Sequence, residues 1–484
     1  MHRRALLRTG VAGLTGIGVG FQSAAAARQE SYEPIGKQIV TGAREAVVDG
    51  TDAYVATRNG FAVVDVSDPS SPSIRATRTG LMNDFEGGPL GEIQDLWLDG
   101  DRLVAAGPAE SRGNSLSGAV LFDVSDPSDP VLLDEHETSF LIHNTSFDDG
   151  VVSLTGTGLP NRPVVLLSTD GGELAELARW SLVDHDNSWR QVDPRLHDLH
   201  DVTVADGRAY LSYWDAGTWI LDVSNPAAPR HLGHFGGAGP AALADVEVRS
   251  PFPALLGPPG NHHTGAVGDD GSLLALGKES WAVETGAGQQ TGGPSGVELW
   301  DISDPADPTR LSTIEPPESS DNTYSSSRFT TAHNIDIAGD RLYTSWYYGG
   351  VKLHDINDPT APDELAWWRA PDEATFWTAQ AVPGRDFFVA SSTDYGTNRG
   401  AVYTFPDRPG EQTNPPSLLA GASADGTGTN GQSSRTNEEG TGEGGGDSNG
   451  LPGFGIGATA AGLGLGALRL LRDQRESSSG DWIR

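Results

Sequence analysis

Four histidines occupy one position of an internal repeat, and their recurrence is the strongest chemical signal in the chain. The sequence has 12 histidines in all, and His143, His200, His263 and His333 each open a short stretch rich in alternating apolar residues. Equivalent residues of repeated strands come together when the repeats close into a ring. Neutral imidazole is a ligand for iron, copper and zinc. The pattern is therefore compatible with a transition-metal site, and it does not select among these three metals.

Two other interpretations of the histidines stay open. Repeats inherit consensus residues, so each imidazole could instead hydrogen-bond a backbone carbonyl of the neighbouring repeat. The same residues could also bind an anion or a polar ligand. Equivalent positions in the other repeats carry Arg44, Gln94 and Thr378. The fixed positive charge of Arg44 argues against a bound cation, so Arg44, Gln94 and the four histidines are all candidate ligand residues.

The residues that directly follow three of the histidines are also polar. They are Asn144, Asp201 and Asn334. Strand alternation predicts that they point away from the histidines and serve the strand packing.

No nucleophile elbow, phosphate-binding glycine loop, dinucleotide fingerprint or close-spaced zinc motif is present in the sequence, so we predict no catalytic residue.

Strand pairs carry these positions. Residues 200–212 and 333–345 each alternate around a glycine-containing turn, which predicts hairpins. A second type of unit follows each hairpin, in which an apolar strand runs into Asp-x-Ser/Asn-Asp/Asn-Pro; its copies end at Pro69, Pro127, Pro226, Pro305 and Pro359. The Asp and Ser side chains of this motif cap turns. Calcium binding is the alternative, but each turn offers too few ligands.

Seven such four-stranded units can be aligned, and their histidine-equivalent positions lie between 45 and 70 residues apart. This spacing predicts an all-β fold, a seven-bladed β-propeller over residues 33–410. The last blade is one strand short, so we expect an N-terminal strand near residues 33–39 to complete it. The repeat resembles the LVIVD-repeat family of propeller proteins, which is recognised by its architecture. A four-histidine iron centre on a seven-bladed propeller is also similar to that of carotenoid-cleaving oxygenases.

Long loops gather on one face of the predicted propeller, where binding sites usually lie. They span residues 183–195, 236–260, 280–294 and 315–328 and carry Trp189, Phe252, Trp281 and Tyr324, which either contact a ligand or pack their own loops. We therefore expect a monomeric scaffold that binds a protein, glycan or small molecule through this face. The alternative is a metal-dependent oxidoreductase or oxygenase with a four-histidine centre at the channel mouth.

The charge balance restricts the partners and the environment. The chain carries 66 acidic and 32 basic residues, and its only lysines are Lys37, Lys278 and Lys352. Nucleic acid is excluded as a partner because its phosphates would be repelled. An acidic, lysine-poor surface is typical of proteins that stay soluble in molar salt, so a halophilic protein is expected. The sequence has no cysteine, which rules out disulfides.

The two ends of the chain are expected to target it to the cell surface. Residues 1–27 contain Arg3-Arg4 before an apolar run and resemble a twin-arginine export signal, with a plain secretory signal as the alternative. Residues 411–450 form a predicted stalk rich in Gly, Ser, Thr and Glu. Residues 451–475 begin Leu-Pro-Gly-Phe and resemble the archaeal PGF-type sorting signal that is exchanged for a lipid; a retained membrane anchor is the alternative. A polar tail follows at residues 476–484.

Overall fold

The computed structural model describes residues 31–419 except 111–115, 250–251, 287–288 and 396–398. Within these ranges the chain forms seven antiparallel four-stranded sheets, one of which gains a fifth strand. The innermost strands of neighbouring sheets contact each other in cyclic order, and the first contacts the seventh. The predicted seven-bladed β-propeller is thus confirmed.

The strands follow the chain in blade order after an initial strand, β1 (Gly36–Ile39). Blade one holds β2 (Ala43–Asp49), β3 (Asp52–Thr57), β4 (Gly60–Asp65) and β5 (Ser73–Thr79). Blade two holds β6 (Asp95–Asp99), β7 (Arg102–Gly107), β8 (Ser117–Asp123) and β9 (Val131–Thr138). Blade three holds β10 (Thr145–Asp148), β11 (Val151–Thr155), β12 (Val164–Ser168) and β13 (Ala175–Trp180). Blade four holds β14 (Asp201–Ala205), β15 (Arg208–Ser212), β16 (Thr218–Asp222) and β17 (Arg230–Phe235).

The remaining blades carry two additions. Blade five holds β18 (His262–Val267), β19 (Leu273–Lys278), β22 (Val297–Asp301) and β23 (Thr309–Ile314), with a hairpin of β20 (Ala282–Gly286) and β21 (Gln289–Gly292) inserted. Blade six holds β24 (Ile335–Ala338), β25 (Arg341–Ser345), β26 (Val351–Asp355) and β27 (Asp363–Trp368), beside which lies β31 (Gly410–Glu411). Blade seven holds β28 (Phe376–Ala381), β29 (Phe387–Ser392) and β30 (Ala401–Pro406).

Short helices occur only in loops of the described chain. Three are α-helical, α1 (Leu182–His185), α2 (Pro240–Leu243) and α3 (Pro253–Leu256), and three are single 3-10 turns at Asp170–Gly172, Asn187–Gln191 and Pro194–His197. No helix within the described ranges is long and apolar enough to cross a membrane.

The N-terminal strand closes the ring as predicted. β1 pairs antiparallel with β30, from Gly36 opposite Thr404 to Ile39 opposite Ala401, and so becomes the outer strand of blade seven. Tyr32, just before it, is buried, and its backbone N–H donates to the carbonyl of Glu411 at 2.9 Å. Closure joins the two ends of the propeller without a disulfide.

The packed chain continues past the boundary expected at residue 410. β31 pairs parallel with β27, the Gln412 side chain accepts from the backbone N–H of Arg369 at 3.1 Å, and Leu418 is buried. The expected stalk therefore begins later than residue 411, because an outer strand has unpaired backbone groups that a following segment can satisfy. The predicted signal at residues 1–27, most of the stalk, the sorting segment at 451–475 and the tail at 476–484 lie outside the described residues.

Asp and Ser side chains cap the turns between the third and fourth strands. Asp68 accepts from the backbone N–H of Ser70 at 3.0 Å and from its hydroxyl at 2.7 Å. Asp126 caps Ser128 in the same way, and these bonds lower the pKa of both carboxyls. The motif is thus a turn cap, as the sequence analysis preferred.

Candidate metal centre at the channel mouth

Four imidazoles from consecutive blades converge at one end of the central channel. The ring centres of His143 and His200 are 4.1 Å apart, those of His200 and His263 4.5 Å, and those of His263 and His333 4.6 Å. Two imidazoles bound at right angles to one metal, at about 2.1 Å from nitrogen to metal, have ring centres about 4.6 Å apart. The observed spacing therefore matches imidazoles that share an ion.

A carboxylate that the sequence analysis did not single out completes the cluster. Glu279 follows β19, and its Oε2 lies 3.5 Å from His263 Nε2 while its Oε1 lies 3.9 Å from His333 Nε2. One ligand atom each from His200, His263 and Glu279 all lie within 4.8 Å of one another. Two histidines and one carboxylate hold a metal while leaving coordination positions open. One signal in the sequence could have revealed this residue. The residue directly after the second strand is the acid Glu279 in blade five, whereas it is Tyr213 in blade four and Trp346 in blade six.

Hydrogen bonds orient two of these side chains. His333 Nδ1 lies 2.8 Å from the backbone carbonyl oxygen of Trp377 in blade seven, which fixes the proton on that nitrogen. Its Nε2 then carries the lone pair, and it has no hydrogen-bond partner among the described residues. The backbone-carbonyl interpretation thus holds for His333, but metal-bound histidines are oriented by the same kind of bond. The Tyr347 hydroxyl donates to Glu279 Oε1 at 2.5 Å.

Two aromatic residues in strained backbone support the histidines from the loop side. Trp214 has φ 40° and Tyr347 has φ 45°, a left-handed conformation that bulky residues rarely adopt. The Trp214 ring stacks on His200 with centres 5.1 Å apart, and the Tyr347 ring lies 4.7 Å from His333. The indole N–H of Trp214 donates to the carbonyl of Leu255 at 2.9 Å. The long loops are thereby tied to the end of the channel that carries the histidines.

The loop aromatics pack the loops instead of facing solvent. Trp189 is 2% exposed and Trp281 is 0% exposed. Phe252 and Tyr324 are partly buried against the same core cluster. Buried packing is thus observed for Trp189 and Trp281, while Phe252 and Tyr324 keep part of their surface exposed.

Burial sets the protonation of the cluster. It lowers the pKa of His263 and His333 well below the usual value, with further lowering from neighbouring imidazoles. Burial also raises the pKa of Glu279 to about 8, and the Tyr347 hydrogen bond partly opposes this. The imidazoles of His263 and His333 are therefore neutral and able to bind a metal, while Glu279 must release a proton to become a ligand.

Three blades carry no histidine at the equivalent position, and their residues there match the sequence prediction in blades one and two but not in blade seven. Arg44 and Gln94 are buried at the mouth, and Arg44 Nη1 lies 3.0 Å from Asp394 Oδ1. This ion pair offsets the fixed charge that had argued against a cation. The blade-seven equivalent is Trp377, one residue before the expected Thr378, because β28 bulges between Phe376 and Thr378. The Trp377 ring lies 4.0 Å from that of His333.

Asn144, Asp201 and Asn334 face the channel and not the interior of their blades, so the prediction that they serve the strand packing is wrong. All three line a cavity of about 170 Å³ within the channel, together with the acids Glu45 and Asp95. Consecutive residues 201–205 line this cavity because the innermost strand lies edge-on to the channel axis, so alternation does not separate inside from outside. Burial raises the pKa of Glu45 to about 8 and that of Asp201 to about 6.

Two repeats match a known family. The LVIVD-repeat family model matches residues 42–77 and 198–235, which contain the strands of blades one and four. The chain carries LVIVD repeats. No curated protein matches it in sequence.

Solved structures share the propeller architecture of these LVIVD repeats. The Cps50 (Swd1) β-propeller domain of Myceliophteria thermophila has a TM-score of 0.52 at 9% identity and covers 78% of this chain and 99% of its own. The WD40 propeller domain of Doa1 has a TM-score of 0.46 at 13% identity, covering 78% and 97%. A protein from Lactobacillus plantarum has a TM-score of 0.46 at 10% identity, covering 78% and 98%. At these identities the first likeness shows the fold alone.

Proposed function

We propose that this propeller is a metal-dependent protein that binds one transition-metal ion at the channel mouth and presents it to a small-molecule ligand. The observation that carries this proposal is the group of ligand atoms from His200, His263 and Glu279, all within 4.8 Å of one another. His143 and His333 flank the group as further imidazoles. Iron is the favoured occupant, because two histidines and one carboxylate are typical of non-haem iron sites.

The surroundings suit chemistry at the ion. His200, His263 and Glu279 are each at most 5% exposed, so bulk water is kept away from the ligands. Trp214, Tyr347 and Trp377 pack against the imidazoles and restrict their motion. Open coordination positions would allow the ion to bind and polarise an oxygen-containing ligand. These features support an oxidoreductase or oxygenase role, the alternative weighed from the sequence.

Elemental analysis of protein purified without a histidine tag tests the proposal. We expect about one iron, copper or zinc per chain in the wild type, after soaking with each metal if necessary, and loss of most of it in His200→Ala/His263→Ala and in Glu279→Gln. His354→Gln is the matched control, since His354 is equally buried but lies in β26, outside the cluster. Wild-type protein without metal after soaking, or variants that keep it, would overturn the proposal.

We further propose that the protein works outside the cell in molar salt, as a haloarchaeal surface protein. Support comes from the paired arginines and apolar run at residues 3–21, the Pro-Gly-Phe segment at 452–454, the excess of 66 acidic over 32 basic residues and the lack of cysteine. Mass spectrometry of the native protein tests this. We expect the mature chain to begin near Ala27 and to end in a lipid close to Pro452. Detection of intact termini on cytoplasmic protein would contradict it.

A second candidate function is a protein-binding scaffold, and one observation favours it. Exposed apolar side chains lie on or next to the outer strands of four consecutive blades, seven, one, two and three; they are Ile35, Ile74, Val131, Leu132, Leu133 and Leu177. Contiguous apolar patches mark interaction surfaces, and Val131, Leu132 and Leu133 are consecutive in β9. Leu132→Asp should abolish a rim-bound partner recovered by crosslinking from the native host, while leaving metal content unchanged. Recovery of the same partner by the variant would remove this candidate.

A further inference from the structure

We propose that the bound ion takes a small carboxylate as its exogenous ligand and that Arg44 holds this carboxylate. The inference rests on the proposed metal centre and adds the class of its ligand. It follows from the residues that blades one, two and seven carry at the position where the other four blades carry histidine.

These three positions form the wall opposite the imidazoles. Blades three to six supply histidines at the mouth, and blades one, two and seven supply Arg44, Gln94 and Trp377. The mouth wall is a closed ring, since β2 of blade one contacts β28 of blade seven. A ligand that extends from the ion across the channel therefore meets a guanidinium, an amide and an indole. A guanidinium in such a wall favours an anion over a neutral ligand.

The Arg44 side chain is held ready for a ligand. Its Nη1 donates to the Ala43 carbonyl at 2.7 Å and to Asp394 Oδ1 at 3.0 Å, and its guanidinium carbon lies 4.9 Å from the Tyr395 ring centre and 5.6 Å from that of Trp377. Arg44 is 2% exposed, yet its Nε has no hydrogen-bond partner in the described part of the chain. A buried donor without a partner is costly, so a ligand that accepts from this face would satisfy it.

Gln94 shows the same deficit beside Arg44. It is 6% exposed, and its Oε1 has no hydrogen-bond partner within the described ranges. An unsatisfied donor in blade one and an unsatisfied acceptor in the neighbouring blade two suit a ligand with both kinds of group, such as a hydroxycarboxylate. We take the carboxylate as the defining group because the Arg44 guanidinium is a charged donor, and charged donors bind carboxylate oxygens more strongly than neutral ones.

The test uses the full propeller loaded with Co²⁺, whose visible absorption reports changes in its ligands. Acetate is titrated at constant potassium chloride, with acetamide as a neutral ligand of similar shape, and the Co²⁺ content of each variant is measured first. We expect acetate to shift the spectrum and acetamide to leave it unchanged. Arg44→Gln should keep Co²⁺ but weaken acetate binding about tenfold or more, the loss expected for one charge-assisted hydrogen bond.

Two further variants distinguish a specific loss of the Arg44 contact from misfolding of the protein. Asp394→Asn removes the competing carboxylate and should tighten acetate binding, an opposite shift that a damaged fold would not give. Arg75→Gln removes the same charge from blade one, where Arg75 pairs with Asp52 and Asp65, and should change acetate affinity less than about twofold.

The outcomes separate the two proposals. Absence of Co²⁺ from the wild type would overturn both the metal centre and this inference. Bound Co²⁺ with equal responses to acetate and acetamide would overturn the inference alone. So would acetate affinity that is the same in the wild type, Arg44→Gln and Asp394→Asn.

Discussion

At the scale of single residues, the proposed metal centre implies that Glu279 couples metal binding to pH. Burial raises its pKa to about 8, so below that pH an incoming ion must displace a proton from the carboxyl. His263 and His333 do not compete, because burial keeps the pKa of both well below the usual value. We therefore predict that Co²⁺ affinity rises about tenfold per pH unit up to about pH 8 and then levels off.

Competition with a chromophoric chelator at several pH values measures this slope. Tyr347→Phe should extend the slope to higher pH, since the lost hydrogen bond otherwise stabilises the charged carboxylate. Glu279→Gln should bind Co²⁺ weakly and without the slope. An unchanged slope in Glu279→Gln would show that another group releases the proton.

Sequence reasoning located the four histidines but only part of their surroundings. Repetition made the histidines visible, because equivalent residues recur in successive blades. Glu279 occurs once, so only its contrast with Tyr213 and Trp346 could have revealed it. Trp377 was displaced by a bulge, which adds a residue that alternation does not predict.

At the scale of elements, β1 is the closing strand and should contribute most to stability. It pairs with β30, and the segment around it buries Tyr32 and Val40. Removal of residues 28–40 should cost about 4 kcal/mol or more of unfolding free energy, because two large side chains and one ladder are lost. Removal of residues 420–484 should cost less than about 0.5 kcal/mol.

Thermal unfolding in molar salt compares these truncations. A third form that also lacks residues 412–419 should fall between them, since Leu418 and the Gln412 contacts with Arg369 are lost. Equal stability of the N-terminal truncation and the full propeller would contradict the closure described here.

Closure was predictable because an orphan strand and an incomplete blade were both visible in the sequence. The return of β31 to blade six was not predictable, because a strand of two residues carries no pattern.

At the scale of the whole molecule, the charge distribution predicts dependence on salt. The chain has 66 acidic and 32 basic residues. Each lysine is engaged: Lys37 lies 4.5 Å from the Tyr403 ring centre, Lys278 lies 3.3 Å from Glu298, and Lys352 lies 2.9 Å from Glu364. Because acidic residues outnumber basic ones by 34, many carboxylates have no cation to offset them. As salt falls to about 0.1 M the Debye length grows to about 10 Å, and repulsion among carboxylates increases.

We therefore predict that the melting temperature falls steadily as potassium chloride is lowered from about 3 M to 0.1 M. Circular dichroism measures the transition, and sucrose at matched osmolality is the control that adds no screening. A melting temperature independent of salt, or one restored equally by sucrose, would contradict the role of charge repulsion.

The metal centre is tested most directly by anomalous X-ray diffraction from crystals of iron-loaded protein, with data collected above and below the iron absorption edge. The account predicts one strong anomalous peak at the channel mouth, about 2.2 Å from a nitrogen of His200, a nitrogen of His263 and an oxygen of Glu279. A mouth without a peak in loaded crystals, or a peak only among the acids Glu45, Asp95 and Asp201 of the channel cavity, would contradict it.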